Sequence, residues 1–353
     1  MKKISNYISA IVMSVVVISC MDYGAKDEFD FNYSDSDGLF IVNEGNFMYG
    51  NASLSYYDIN KKNVETEVFV RSNGIKLGDV AQSMTIHNGK GYIVVNNSGV
   101  IFTVDINTFK IIDIITGFTS PRYMHFINDD KAYVTDLYSS TIYILNPKTG
   151  KISGSIPVTG HKTTEQMVQS GKYVFTNCWS FDNKILVIDS ETDKIVDSIT
   201  VGIQPNSIAI DKNNKLWVLT DGGYQGNPYG HEIPSLFCIN TSGFQIEKKF
   251  DFALNDSPAK LCINSSLDTL YFINQSIWKI GINATELPDT PIIPYKGTMY
   301  YGLAVSPETS EIYLADAIDY VQNGKVYRYT AQYVCIDTID AGVCPSNFCF
   351  KFK

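Results

Sequence analysis

The chain ends on a fragment of a unit that recurs inside it, and it begins on a unit that lacks that fragment. Ala341 to Lys353 (AGVCPSNFCFKFK) has the form of the segments that introduce each internal repeat, yet no repeat follows it. Gly38-Leu-Phe-Ile-Val-Asn43, at the other end, opens a repeat that has no first strand before it. A chain whose end supplies what its beginning lacks is expected to close into a ring, because closure completes both fragments and leaves no loose strand edge.

The unit is clearest at Val201 to Asp221 (VGIQPNSIAIDKNNKLWVLTD): a Gly turn, a Pro, an alternating strand, a polar turn, then a second strand ending in Asp. Related lead-ins fall at positions 81, 121, 164, 205, 258, 300 and 345, separated by 40, 43, 41, 53, 42 and 45 residues. That is the period of a propeller blade, about 40–45 residues for four short strands. A second half recurs as well, as in KILVIDSETDKIVDSITVG (Lys184 to Gly202), where Asp189 precedes the turn and Lys194 opens the last strand. Asp105 and Asn146 hold the place of Asp189 in two other units. Asp or Asn there bonds the backbone two residues on and closes a hairpin, a structural role. The fold expected is therefore all-β, a seven-bladed β-propeller with strands A to D counted outward from the axis. Blade 1 runs from Gly38 to about Gly78 and borrows its innermost strand from Pro345 to Phe350.

At 353 residues, 44% hydrophobic and 18% charged, the chain is large enough for one such ring. A net charge of −9, with no basic run after Lys3, argues against nucleic acid as a partner. Residues 1–19 start Met-Lys-Lys and continue with an apolar stretch from about Ile8 to Ile18, too short to span a bilayer and suited to a secretory leader. Val17-Ile18-Ser19-Cys20 resembles a bacterial lipobox, in which Cys20 is acylated; the alternative is an ordinary cleaved leader with an incidental cysteine. Residues 20–37 are acidic and polar, as in a flexible tether, and 38–353 form the propeller. An acidic stretch just after such a Cys resembles a surface-export signal of Bacteroidetes lipoproteins, and that resemblance implies a location on the outer membrane, facing the exterior.

Six further cysteines (Cys178, Cys238, Cys262, Cys335, Cys344 and Cys349) fit no zinc spacing and are expected mostly as small core residues. The histidines His87, His125, His161 and His231 form no HExxH or HxH pattern, and there is no G-x-S-x-G elbow, phosphate loop or dinucleotide fingerprint. His125 is expected in the core, His161 and His231 solvated in loops. No enzymatic chemistry and no metal is expected from these patterns.

Ligand contacts are expected on the face where the A strands begin, since loops from every blade converge there over the channel. The strand starts supply Gln82, Arg122 with Tyr123, Glu165 with Gln166, Asn206 with Ser207, Lys260, Tyr301, and Ser346 with Asn347. The B–C loops add Asn43, Glu44, Asn46, Phe47 and Tyr49 in blade 1, Tyr138 in blade 3, Trp179 and Phe181 in blade 4, and Tyr320 in blade 7. Blade 5 has the longest loop, Asp221 to Pro234, carrying Tyr224 and Tyr229. Trp217 and Trp278 fall inside strands and belong to the core. The candidate contacts are Asn43, Glu44, Asn46, Phe47, Tyr49, Gln82, Arg122, Tyr138, Gln166, Trp179, Phe181, Asn206, Tyr224, Tyr229, Tyr301, Tyr320 and Asn347. Rings supply contact area at low entropy cost and amides supply orientation. The competing reading has the rings packing loop on loop, and Arg122 pairing with Glu165 or Glu44.

NEGNFMYGNASLSYYD, followed by Pro-led strands and D-x-x-T-x-K hairpins, resembles the YncE-like seven-bladed propellers over Gly38 to Lys353. With the lipobox and acidic tether, the chain resembles the BtuG-type surface lipoproteins of Bacteroidetes. That resemblance implies capture of cobalamin or a related corrinoid without chemical change. It also implies delivery to a TonB-dependent outer-membrane transporter by a monomeric propeller; no family motif fixes individual ligand residues. Two alternatives stand beside it. One is a metal-assisted lactonase or esterase, with Glu44, Asn206 and Asp221 as hard oxygen ligands. The other is a propeller that only scaffolds protein partners.

Overall fold

The computed structural model describes residues 30–353 apart from Lys162; the leader, Cys20 and the first part of the expected tether lie outside the described residues. Seven antiparallel sheets are present among the described residues. Their inner strands are Ala81–His87, Pro121–Asn128, Thr164–Ser170, Pro205–Ile210, Ala259–Ile263, Tyr300–Val305 and Pro345–Lys351. Each touches the inner strand of the next sheet, so the seven run round one axis and close. Six begin on the residue the repeat register indicated, and the seventh begins one residue later, at Ala259 rather than 258.

Closure is made where the sequence placed it. Pro345–Lys351 pairs antiparallel with Gly38–Asn43, Gly38 opposite Lys351 and Val42 opposite Asn347, and Ser53–Asp58 and Asn63–Glu65 complete blade 1 outward. Second strands such as Lys215–Thr220 (KLWVLT) are buried on both faces because a blade on each side covers them, whereas the outer Lys194–Thr200 (KIVDSIT) is mostly exposed. The core therefore lies between blades: Phe175, Ile185 and Val187 of blade 4 pack on Leu216, Val218 and Phe237 of blade 5. Trp217 is fully buried with its indole N–H on Asp211 Oδ2 at 2.9 Å, and the Trp278 indole bonds the Asn274 carbonyl at 3.0 Å. The hairpin acids act as expected: Asp105, Asn146 and Asp189 accept the N–H of Asn107, Lys148 and Glu191, each two residues on.

Some features depart from the repeat. Blade 6 has three strands, Ala259–Ile263, Thr269–Asn274 and Ser276–Gly281, and its outer position is taken by a segment touching Ser276–Gly281 through an Ile277–Ile293 bridge. That segment carries Pro288, Pro291 and Pro294, which have no N–H to give to a ladder. In blade 1 a short helix, Val68–Asn73, follows the three-residue outer strand and buries Val68 and Phe69, with Gly74 (φ 69°) ending it.

The last residues of the expected tether, Asp30 to Asp37, are packed on the ring rather than free. Phe31 is buried against Phe109 (5.2 Å between ring centres), and the half-buried Tyr33 packs on Tyr56 (4.6 Å). The Lys351 ammonium donates to the carbonyls of Tyr33 (2.8 Å) and Ser36 (2.7 Å), so the closing strand is tied to the segment that precedes the first strand. Acidic composition hid these aromatic anchors.

The cysteines in the described residues are unpaired. Cys178, Cys238, Cys344 and Cys349 are buried, Cys262 is half-buried and Cys335 is exposed, the one clear exception to the core reading. Cys349 lies in the closing strand, and Cys344 just precedes it.

Candidate functional site

All seven inner strands carry an irregularity at the same place. In blade 5, Pro205 faces Thr220 but Ser207 faces Leu219, which leaves Asn206 outside the ladder. Blade 2 extrudes Gln82, blade 7 Tyr301 and blade 1 Ser346 in the same way. In blades 3, 4 and 6 the slip spans Arg122 with Tyr123, Glu165 with Gln166, and Lys260 with Leu261. A β-bulge of this kind kinks the strand and re-aims a side chain. Repeated around an axis, it aims side chains from blades 2 to 7 at the mouth of the channel.

Gln82, Arg122, Glu165, Asn206, Lys260 and Tyr301 line one cavity of about 350 Å³, joined by Glu44, Trp179 and Asp221 from the loops. Tyr123 and Gln166 lie at its base, and they also line a cavity of about 470 Å³ at the other end of the channel, beside His125 and Phe126. The two residues thus partition the channel. Gln82 Nε2 donates to the Tyr123 hydroxyl (3.3 Å), and Gln166 Oε1 accepts the Ile208 N–H (3.0 Å). Ser346 is buried, and its hydroxyl has no partner among the described residues.

The cavity is strongly charged for its burial. Arg122 Nε lies 2.8 Å from Glu165 Oε1, with side chains 13% and 5% exposed. Of the two partners expected for Arg122, Glu165 is the one it takes; Glu44 instead accepts the Tyr301 hydroxyl at 2.6 Å. Burial pushes the Glu165 carboxyl above the ordinary carboxylate range, and Arg122 pulls it back. Burial likewise lowers Lys260, whose ammonium has no carboxylate within 4.0 Å among the described residues and sits 5.5 Å from the Tyr301 ring centre. The Asp221 carboxyl is raised by burial, against the hydrogen bond it accepts from the Gly223 N–H at 2.9 Å. Burial and the neighbouring Glu44 raise the Tyr301 hydroxyl.

Seven of the sequence-predicted contacts line this cavity: Glu44, Gln82, Arg122, Gln166, Trp179, Asn206 and Tyr301. Phe47, Tyr49, Tyr138, Phe181, Tyr224, Tyr229 and Tyr320 are exposed instead, up to 76% at Tyr49. Asn46 is occupied in fixing its loop, donating to the Tyr320 carbonyl and accepting from Asn51. Asn43 requires correction: it is fully buried, donating to the hydroxyls of Ser53 and Ser55 and accepting the Gly342 N–H, so its polar capacity goes to joining blades 1 and 7. Asn347 sits opposite Val42 in the closing ladder and is not among the cavity residues. Glu165, Lys260 and Asp221 line the cavity although they are absent from the expected contacts; for the first two, the register they share with Gln82 and Asn206 is the signal. His161 also departs from expectation: its Nδ1 lies 2.7 Å from Asp182 Oδ2, so it is paired rather than simply solvated. His231 is exposed, as expected; His125 has a partner, Gln169 at 3.0 Å, but is half-buried and lines the lower channel cavity rather than the core. Of the oxygens considered for a hard cation, those of Glu44 and Asn206 already accept the hydroxyls of Tyr301 and Ser207.

Residues 37–341 match the family described as a domain of unknown function (DUF5074), and the chain belongs to that family. Among solved structures it is similar to a quinonprotein alcohol dehydrogenase-like protein from Bacteroides thetaiotaomicron (TM-score 0.68, 17% identity, 89% of this chain and 78% of that one). It is also similar to the periplasmic gluconolactonase PpgL of Pseudomonas aeruginosa (TM-score 0.65, 11% identity, 90% of this chain and 99% of that one). AztD of Citrobacter koseri gives a TM-score of 0.57 at 12% identity, over 90% of this chain and 98% of that one. At these identities the likeness shows the propeller fold alone. A sequence relative, antigen Lp49 of Leptospira interrogans, is 28% identical over 106 residues, 26% of this chain and 23% of that protein's length.

Proposed function

We propose that this member of the DUF5074 family is a surface lipoprotein that binds a corrinoid on its bulge-lined face, without chemical change. It would then pass the ligand to a TonB-dependent outer-membrane transporter, anchored through Cys20 and facing the exterior. The observation that carries the reading is the set of six bulge side chains around one cavity, on a face whose loops hold exposed rings. A corrinoid is a broad disc fringed with amides. Gln82, Asn206, Arg122 and Lys260 offer hydrogen-bonding groups to such a fringe, while Phe47, Tyr49, Phe181 and Tyr224 offer apolar cover. At about 350 Å³ the cavity lies at the small end of the roughly 300–1,000 Å³ range of ligand sites, so it takes one edge of the ligand and the rest spreads over the rim. A ring braced by its own closure needs little ordering on binding, which favours capture of a scarce ligand.

Calorimetric titration of the purified protein with cyanocobalamin tests this reading. Saturable one-to-one binding supports it, and absence of binding at micromolar ligand overturns it. A second reading, metal-assisted hydrolysis of a lactone or ester, draws on Glu44, Asn206 and Asp221 sharing the cavity. Turnover of a lactone that is lost on chelation and restored by calcium would put it first.

A further inference from the structure

We propose that His161, Cys178 and Asp182 form a binding site for a zinc-class divalent cation, independent of the corrinoid reading. One ligand atom from each of the three lies within 4.8 Å of the other two. A tetrahedral zinc ion with bonds of about 2.0–2.3 Å sets its ligand atoms roughly 3.3–3.8 Å apart. The widest pair therefore closes by about 1–1.5 Å at most, and if Nδ1 is the imidazole ligand, His161 Nδ1 and Asp182 Oδ2, now hydrogen-bonded at 2.7 Å, open by roughly half an ångström to admit the ion.

The backbone around them is already fixed. Cys178 ends the second strand of blade 4 opposite Thr164, and the next N–H, of Trp179, donates to the Thr163 carbonyl at 2.9 Å. The Asp182 carbonyl accepts the Gln204 N–H (2.9 Å) and its Oδ1 accepts the Asn183 N–H (2.7 Å), which leaves Oδ2 for His161. The His161 N–H bonds the Val158 carbonyl at 2.8 Å. Three separate stretches thus hold one sulfur, one nitrogen and one oxygen donor together.

That donor set selects the metal. Calcium and magnesium favour oxygen alone, whereas thiolate, imidazole and carboxylate together suit zinc. The thiolate and carboxylate balance the ion's charge, the thiol proton being released on binding. Cys178 is fully buried and Asp182 is 5% exposed, while the His161 side chain is 26% exposed and opens the approach for the ion and for a water as fourth ligand. Full burial also excludes Cys178 as an open nucleophile. Spacing rules missed the set because positions 161, 178 and 182 come from a loop, a strand end and a second loop.

The test uses tag-free protein stripped with chelator and titrated with Co²⁺, then Zn²⁺. One equivalent of cobalt should produce tetrahedral d–d absorption with a sulfur-to-cobalt charge-transfer band, and zinc should displace it. Cys178→Ser should abolish the charge-transfer band, and His161→Gln should weaken zinc binding at least about tenfold. Melting curves in chelator report whether the variants fold; if Cys178→Ser does not, His161→Gln and Asp182→Asn decide. Absence of binding at micromolar metal, cobalt binding without the sulfur band, or zinc affinity unchanged in His161→Gln would each overturn the site.

Discussion

Replacing Arg122 by Met should destabilise the propeller, and replacing Arg122 and Glu165 together should restore it. The ion pair is short, at 2.8 Å, and its side chains are 13% and 5% exposed. With charge centres about 4 Å apart and an effective dielectric near 20, the attraction is about 4 kcal/mol. Removing one partner strands the other charge in a buried site, at roughly 3–5 kcal/mol. Lys260 offers Glu165 some relief, so the lower end, about 3 kcal/mol, is expected for Arg122→Met. Arg122→Met with Glu165→Leu removes both desolvation penalties and should return to wild-type stability or exceed it by roughly 1–4 kcal/mol, while losing ligand affinity. The pH dependence has a definite sign. Burial raises the Glu165 carboxyl, so its contribution to stability is fully present below the unfolded value and is lost as pH rises through the folded one. Without Arg122 the carboxyl rises further, and the deficit of the single variant should grow from pH 5 to pH 8, by at most about 1.4 kcal/mol per pH unit. Urea unfolding followed by tryptophan fluorescence at the two pH values measures this. An Arg122→Met deficit below about 1 kcal/mol at pH 8, the same deficit at pH 5, or a double variant weaker than the single would refute the reasoning.

Three other outcomes separate structure from binding. A chain truncated before Pro345 should show a large drop in melting temperature and lose ligand binding, because blade 1 then lacks its inner strand; an unchanged melting curve would contradict the closure. Asn43→Ala removes three hydrogen bonds of a fully buried side chain and should cost about 2–4 kcal/mol in urea unfolding, yet the folded fraction should bind cyanocobalamin as wild type does. Trp179→Ala should do the reverse, shifting the melting temperature little while weakening binding at least about tenfold in the same titration.

The fold could be read because its determinants are local and repeated. A Pro-led alternating strand and an Asx-closed hairpin each occupy a few residues, and their recurrence fixed blade number and closure before any contact was known. Departures arose where a unit loses its pattern: the prolines after Gly281 remove an outer strand, and Val68–Phe69 pack as a helix where a strand repeat would have continued. The site was only partly legible. Repeat register placed Gln82, Arg122 and Tyr301 correctly at the channel mouth, since position in the unit sets which way they point. Asn43 and Asn347 could not be separated from them, because what removes each from the cavity is a partner on another blade, remote in sequence. Loop rings carry no register at all, which is why Phe47 and Trp179 looked equivalent in the sequence and lie in different surroundings in the fold.

The bulges have a consequence for how such a protein can change over time. A residue extruded from its ladder is released from the cross-strand pairing that fixes its neighbours, so its identity can vary without disturbing register or core. Gln82, Arg122, Glu165, Asn206, Lys260 and Tyr301 therefore behave as six variable positions on a constant frame. Coupling among them runs chiefly through pairs such as Arg122 with Glu165, which must change together. New ligand specificity can be reached through one or two such substitutions, with the ring itself untouched.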